Sequence, residues 1–434
     1  MRGWSAQRMA EAARGDVVRA APGGPERAVV DSRAAGPGDL FVGLPGARVD
    51  GGRFAGRALD AGAWGVLVAP EHAAGLEEGQ GAILTASDPL GALQRLATAW
   101  RRALAAQVVG VTGSTGKTST KDVLRAMLAP QRRVVATEEN LNTEIGLPLT
   151  VLGAPAGTEV LVLEMAMRGA GQIAELARIA EPDVGVVTNV GPVHLELLGT
   201  VERVAAAKAE LLAGLRAGAT AVLPAGEPLL DPHLRADLTT VTFGPGGDVE
   251  DLGAVELAHA SAHMRLNALA ALAAARALGV EPRGRLDVRL SALRGQRLEL
   301  PHRVLVIDDC YNANPMSVRA ALDDLAATAA ARGGRRLAVL GDMLELGPGE
   351  RRFHEEAGAR AREDGVDVLV AVGSRAAHMV APFGGEAHPV PDAARAAALV
   401  PRLVRPGDTV LVKGSRGVGL EVVGEALRDA GVPA

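Results

Sequence analysis

The chain has 434 residues, 48% of them hydrophobic, and a formal net charge of −5. That length exceeds a single core and implies two to four domains, and the mild acidity offers no footprint for a nucleic acid. A lone cysteine, Cys310, excludes an internal disulfide framework and a multi-cysteine zinc site, and no run approaches the ~18 apolar residues of a membrane span.

The N-terminal stretch "MRGWSAQRMAEAARGDVV" lacks an apolar core followed by a cleavage site, so no signal peptide is expected and the protein reads as soluble and cytoplasmic. Along the chain, short apolar runs alternate with helical patterns, which predicts an α/β protein with largely parallel sheets. Residues 1–84 form a smaller α/β segment with strand runs "GDLFVGL" and "AWGVLVAP". Residues 85–297 open on a helical pattern, "DPLGALQRLATAWRRAL", and continue through strand runs "VLVLE" and "PDVGVVTNV" to an Ala-rich helix, "NALAALAAARALG". Residues 298–434 alternate "RVLVIDD", "RRLAVLGD", "VDVLVAVGS" and "DTVLVKGS" with helices, a doubly wound, Rossmann-like pattern. Asn314 as N-cap, Pro315 in the first turn and Gly333 at the stop bound one of those helices.

The stretch "VTGSTGKTST" carries the clearest chemistry. A strand ending at Thr112, itself a candidate ATP contact, runs into a Gly/Ser/Thr turn that opens a helix, so the backbone amides of Gly113, Ser114, Thr115, Gly116, Lys117 and Thr118 can converge on phosphate. Lys117 adds a point charge for the outer phosphates, and the Thr118 hydroxyl suits Mg²⁺. The common pattern places a glycine six residues before the lysine. Here that position is Val111, so the loop is a variant of the motif.

Glu164 ends the run "VLVLE", at the edge where open α/β sheets bind ligands. It fits a second Mg²⁺ or a helix cap. His194 follows another strand and fits a place nearby. In "TVERVAAAKAELLAGL", Val201, Val204, Lys208, Leu211 and Leu215 fall on one helical face, which puts a lysine toward the core. Burial favours its neutral amine, and a neutral amine combines with CO₂ to give a metal-binding carbamate. Snorkelling to the surface is the alternative. Lysine occurs only at Lys117, Lys121, Lys208 and Lys413 in an arginine-rich chain, and asparagine only at Asn140, Asn142, Asn189, Asn267, Asn312 and Asn314. These survivors of a compositional bias mark places where arginine or alanine does not serve; for Lys121 chance is an equal explanation.

With these residues in view the chain resembles the Mur ligase family from end to end. The resemblance is carried by "DSRAAGPGDLFVGLPGARVDG", "TGSTGKT", "TEENLNTEIGLPLTVL", "EMAMRGAGQI" and "VGPVHLELLGTVERVAAAKAEL". "HMRLNALAAL", "DDCYNANPMSVRAAL", "LGDMLELG" and "LVKGSRGVGLE" extend it. It implies three domains, binding respectively the UDP end of a substrate, ATP, and an incoming dipeptide. Ser32 and Arg33 would contact the UDP moiety; Lys117 and Thr118 the phosphates and one Mg²⁺; Glu164, His194 and carbamylated Lys208 a second Mg²⁺. Asn142 would lie near phosphate and substrate. Asn267, Arg297, Asp309, Tyr311 and Asn312 would surround the nucleotide, and Lys413, Ser415 and Arg416 would face the dipeptide.

The implied reaction is ATP-dependent joining of D-alanyl-D-alanine to UDP-MurNAc-tripeptide through an acyl phosphate, by a monomer with no nucleic-acid or membrane partner. The alternatives are a sister ligase adding a single amino acid, a folylpolyglutamate-type ligase, and a P-loop kinase or nucleotide hydrolase. The chain departs from the family's usual residues at Gly52, where histidine is common, and at Ala166 and Gln296, where glycine is frequent.

Overall fold

The computed structural model describes residues 1–76, 78–257 and 261–430. Three larger sheets and one two-stranded pair follow one another along the described residues. The first contains β1 (Asp16–Arg19), β2 (Arg27–Val29), β3 (Asp39–Val42), β4 (Gly65–Val68) and β5 (Ala82–Thr85). Its spatial order is β1-β5-β4-β3-β2, and only the β1–β5 pair is antiparallel.

The second sheet is parallel throughout. It holds β6 (Gln107–Thr112), β7 (Val134–Ala136), β8 (Val160–Glu164), β9 (Val184–Val187), β10 (Thr220–Pro224) and β11 (Thr239–Phe243), in the order β11-β10-β9-β6-β8-β7. A parallel sheet needs cover on both faces. The helices Lys117–Leu128 and Ala262–Ala277 supply it on one side, where the small side chains of Ala268, Ala271 and Ala275 pack with Val109, Val162 and Val186. On the other side the helix Val201–Ala213 buries Leu211 and Leu212. The helix Pro89–Leu104 buries Leu93, Leu96 and Trp100 in a core that also contains Leu40 and Leu84 of the first sheet and Leu163 and Val187 of the second. The first two domains therefore share an interior.

A small parallel pair, β12 (Val255–Leu257) and β13 (Gly284–Leu286), precedes the third sheet. That sheet contains β14 (Gln296–Leu300), β15 (Val304–Asp308), β16 (Arg336–Gly341), β17 (Val368–Val372), β18 (Glu386–Val390) and β19 (Thr409–Lys413), in the order β14-β15-β19-β16-β17-β18. Its strands are parallel except for the edge strand β14, which carries Gln296 and Arg297 into the sheet antiparallel to β15. The helix Pro315–Arg332 begins as its sequence signals predict. Asn314 and Ser317 form a capping box, and Gly333 ends it.

In the second sheet the strand order reverses around β6, and in the third β19 returns to lie between β15 and β16; ligand-binding loops gather beyond the carboxyl ends of such strands. From the second sheet come the turns after β6, β8 and β9. From the third come those after β15, β16 and β19. Among the described residues no helix is long and apolar enough to cross a membrane.

Candidate active site

The two groups of loops enclose a cavity of about 1790 Å³ lined from both sides, by Lys117, Glu164 and His194 on one and by Asp309, Glu345 and Lys413 on the other. The turn after β6 is built from paired polar groups. Asn189 accepts the Thr115 amide at 2.9 Å through its side chain and the Ser114 amide at 3.1 Å through its carbonyl. The Ser114 hydroxyl exchanges hydrogen bonds with the Gly191 backbone at 2.9 and 3.1 Å. Two of the amides expected to face phosphate are thus committed to the turn itself. The amides of Gly116, Lys117 and Thr118 have no partner among the described residues, as the first turn of a helix leaves them. Glycine is required here on two counts. Gly113 has φ 149° and Gly116 φ 79°, and a Cβ on Gly113 would lie 1.8 Å from the Thr188 hydroxyl.

Lys117 donates to the Gly113 carbonyl at 2.7 Å, across the mouth of the turn. Burial lowers its pKa, opposed by Glu164 and reinforced by the Arg294 charge. Thr118 donates its hydroxyl to Glu164 Oε2 at 2.7 Å, Asn142 donates its amide to Oε1 at 2.9 Å, and the Glu164 backbone amide donates to the Thr137 hydroxyl at 2.9 Å. Glu164 is the last residue of β8 and is 1% exposed, so the helix-cap reading does not hold.

Lys208 is 2% exposed, which removes the snorkelling alternative. No hydrogen bond or ion pair to its amine is present among the described residues, and burial, with Lys117 nearby, pushes its pKa well below the ordinary value. Of the predicted apolar stripe, Val204 and Leu211 are buried with it, Val201 is half-buried, and Leu215 lies beyond the helix end at Ala213. His194 is held in a left-handed turn at φ 52° and its Nδ1 meets Glu345 Oε2 at 2.5 Å across the cavity. Its pKa is lowered by burial, against the pull of Glu345, with Lys117 and Lys208 also felt.

On the facing side, Lys413 is 2% exposed and its ammonium reaches Asp309 Oδ2 at 2.6 Å, the Asn312 carbonyl at 3.1 Å and the Asp309 carbonyl at 3.3 Å. It ties the end of β19 to the loop after β15. Ser415 accepts the Leu344 amide at 3.0 Å and donates to the Ala313 carbonyl at 3.3 Å, joining the three loops of that edge. Tyr311 lies under the Arg294 guanidinium at 3.9 Å, with Arg416 at 5.7 Å. Arg297 reaches Asp324 at 2.8 Å.

The cavity therefore brings together Ser114, Thr115, Gly116, Lys117, Asn142, Glu164 and His194 with Arg297, Asp309, Tyr311, Asn312, Lys413, Ser415 and Arg416. Thr118 and Lys208 stand behind it. Asn267 is 3% exposed against Gly116, and its Nδ2 is buried without a partner among the described residues. Ser32 and Arg33 are elsewhere, in the loop after β2. Ser32 is 9% exposed, and Arg33 pairs with Asp31 at 2.7 Å, lowering that carboxyl to about 2. At Gly52, a Cβ would fall 2.1 Å from His72 Cδ2, so the His72 ring fills the space a side chain there would need.

Several residues at or behind the cavity were not singled out by the sequence. Glu345 and Arg294 line the cavity, as does His263. His354 is fully buried, accepting the Met343 amide at 2.9 Å and donating to the Glu350 carbonyl at 2.7 Å, which holds the loop that presents Glu345. Glu345 and His263 had a sequence signal only as members of "LGDMLELG" and "HMRLNALAAL", and Arg294 and His354 lie outside both.

The profile of the Mur ligase middle domain matches residues 111–270, that of the Mur ligase glutamate ligase domain residues 293–416, and that of the Mur ligase family catalytic domain residues 29–101. UDP-N-acetylmuramoyl-tripeptide–D-alanyl-D-alanine ligase of Bacillus subtilis is 35% identical, over 91% of each chain. The chain belongs to the Mur ligase family. Among solved members, MurF from Acinetobacter baumannii superposes with a TM-score of 0.85 at 27% identity, covering 98% of this chain and 99% of that one. MurF ligase from Thermotoga maritima, solved in complex with ADP, gives a TM-score of 0.79 at 32% identity, covering 93% of this chain and 97% of that one. The α/β architecture expected from the alternating pattern is that of these Mur ligases.

Proposed function

We propose that this chain is an ATP-dependent amide ligase that joins D-alanyl-D-alanine to the terminal carboxylate of UDP-MurNAc-tripeptide, a step of peptidoglycan precursor synthesis in the cytoplasm. The observation that carries it is the pairing of two sheet edges across one cavity. A phosphate turn with three unpartnered amides and a buried carboxylate stand on one side, and a second set of polar loops stands on the other. A kinase or nucleotide hydrolase gives no work to the facing loops. The activity for which the Bacillus subtilis relative is named supplies the substrate pair.

In this reading residues 1–84 hold the UDP end through Ser32 and Arg33, residues 85–297 hold ATP, and residues 298–434 receive the dipeptide near Ser415 and Arg416. Lys117 and the amides of Gly116 to Thr118 hold the outer phosphates. The tripeptide carboxylate attacks the terminal phosphorus and ADP leaves. The dipeptide amine then attacks the acyl carbon, the carbon–oxygen bond breaks, and phosphate departs with that oxygen. Arg297, Asp309, Tyr311, Asn312 and Asn267 surround the nucleotide, and Asn142 orients Glu164. Enclosure between domains keeps water from the acyl phosphate.

The residues present fit Mg²⁺. Thr118 and Glu164 offer a hydroxyl and a carboxylate already 2.7 Å apart, the hard oxygen donors that Mg²⁺ shares with substrate phosphates. Bound Mg²⁺ supplies charge neutralisation and polarises the phosphoryl oxygens. A second ion is assigned to Glu164, His194 and Lys208, the last as its carbamate. Formation of that carbamate joins the neutral amine to CO₂ and releases a proton. A buried amine with no partner among the described residues is where the neutral form is available.

The test measures phosphate release with each substrate withheld in turn. Release is expected only when ATP, UDP-MurNAc-tripeptide and D-alanyl-D-alanine are all present. Equal release without the dipeptide rejects the ligase in favour of a hydrolase.

A further inference from the structure

The mechanism above leaves one buried ion pair without work. Lys121 and Asp122 lie one turn beyond Lys117 and Thr118 on the phosphate-turn helix and are 3% and 8% exposed. The Lys121 ammonium meets the Thr137 carbonyl at 2.7 Å, Asp122 Oδ1 at 2.9 Å and the Ser291 hydroxyl at 3.5 Å. Asp122 Oδ2 accepts both the Ser291 amide at 2.8 Å and its hydroxyl at 2.9 Å. A buried pair gains little net stability over apolar side chains, and its best-attested use is to specify geometry. Three acceptors converging on one nitrogen suit a compact ammonium and not a planar guanidinium. That accounts for a lysine at this place in an arginine-rich chain.

Ser291 is where the connection to the third domain leaves the second. Two residues later the Leu293 carbonyl accepts the Tyr311 amide at 3.1 Å, a bond to the third domain. Only Ala292 separates the two anchors. Leu293 at φ 61° and Gly295 at φ 71° then turn the chain into β14. The same connection carries Arg294, which stacks on Tyr311 at 3.9 Å and is felt electrostatically by Lys117. On the other side, Thr137 links Lys121 to the Glu164 backbone amide.

We propose that Lys121 and Asp122 are positioning residues: they form a post that pins Ser291 to the phosphate-turn helix and confines the pivot of the third domain to the Ser291–Leu293 step. The post sets the place from which the facing loops meet the bound phosphates. The proposal rests on the ligase reading for its effect on turnover, but its structural content does not.

The test compares Ser291→Ala, a Lys121→Met/Asp122→Ala double variant that leaves no buried charge alone, and Ser291→Thr, which keeps both donors. Folding is checked by thermal melting. Three readouts are taken: ATP affinity by equilibrium binding, kcat and KM for the dipeptide, and the interdomain distance between spin labels at Ala206→Cys and Glu356→Cys. Both of those sites are exposed, whereas Cys310 is buried. The double variant should bind ATP within about twofold of the parent, lose about ten- to a hundredfold in kcat, as misplacement on the ångström scale does, and show a broadened distance distribution. Ser291→Ala should move the same way by less, and Ser291→Thr should match the parent.

An unchanged distance distribution in the folded double variant overturns the post. So does loss of ATP affinity in step with kcat, which is what mere support of the helix would produce. Should the parent fail to form ADP in response to the dipeptide, the ligase reading falls while the distance comparison still decides the post.

Discussion

Lys208→Ala is expected to lower kcat by about 10³-fold, with partial recovery when short carboxylic acids such as acetate are supplied. The magnitude is that of removing a preorganised electrostatic group from a water-poor site. An amine that is 2% exposed and has no hydrogen-bond or ion-pair partner among the described residues cannot remain an ammonium at low cost. As an amine it would be available to CO₂, and the proposed carbamate would put an anion within electrostatic reach of His194. A small carboxylic acid can enter the space the alanine leaves and restore the anion without the tether. Carbon-13 NMR of the parent enzyme in labelled bicarbonate should show a carbamate resonance that Lys208→Ala lacks. Parent-like turnover in the variant, or a folded and inactive variant that carboxylic acids do not rescue, contradicts the assignment.

Lys117→Met should be as damaging by a different route, with kcat down by about 10²–10³-fold and the KM for ATP raised. Its ammonium adds a cation to a turn that otherwise offers backbone amides, and it sits with Glu164 in electrostatic reach. Lys117→Arg should recover little, because the planar fork does not fit a half-buried place shaped around a contact at 2.7 Å to the Gly113 carbonyl. Steady-state kinetics with an equilibrium measurement of ATP binding separates lost affinity from lost turnover. Retention of more than a tenth of the parent kcat in Lys117→Met would place the phosphates elsewhere.

Local patterns carried much of this arrangement. The strand, turn and helix around Lys117 are contiguous, so their spacing exposes them. Lys208 was legible because helical periodicity set a lysine among Val204 and Leu211, and Glu164 because a five-residue apolar strand ends on it. What remained hidden depends on contacts between distant segments. The pairing of His194 with Glu345 spans 151 positions and follows from how two sheets face each other. Arg294 carries no contrast in a chain where arginine is common, although its place over Tyr311 is specific. The edge strand β14 reads as polar because it is half-exposed, so its membership of the third sheet appears only in its pairing with β15. Asn189 was marked by its rarity, yet its work in securing the Ser114 and Thr115 amides needs coordinates.

The central claim is that the enzyme transfers a phosphoryl group to the tripeptide's free acid before the amine arrives. It is tested most directly by labelling that carboxylate with oxygen-18 and analysing the products of a single turnover with ATP and D-alanyl-D-alanine. One labelled oxygen should appear in the released phosphate. Phosphate free of label, with amide product formed, would contradict it.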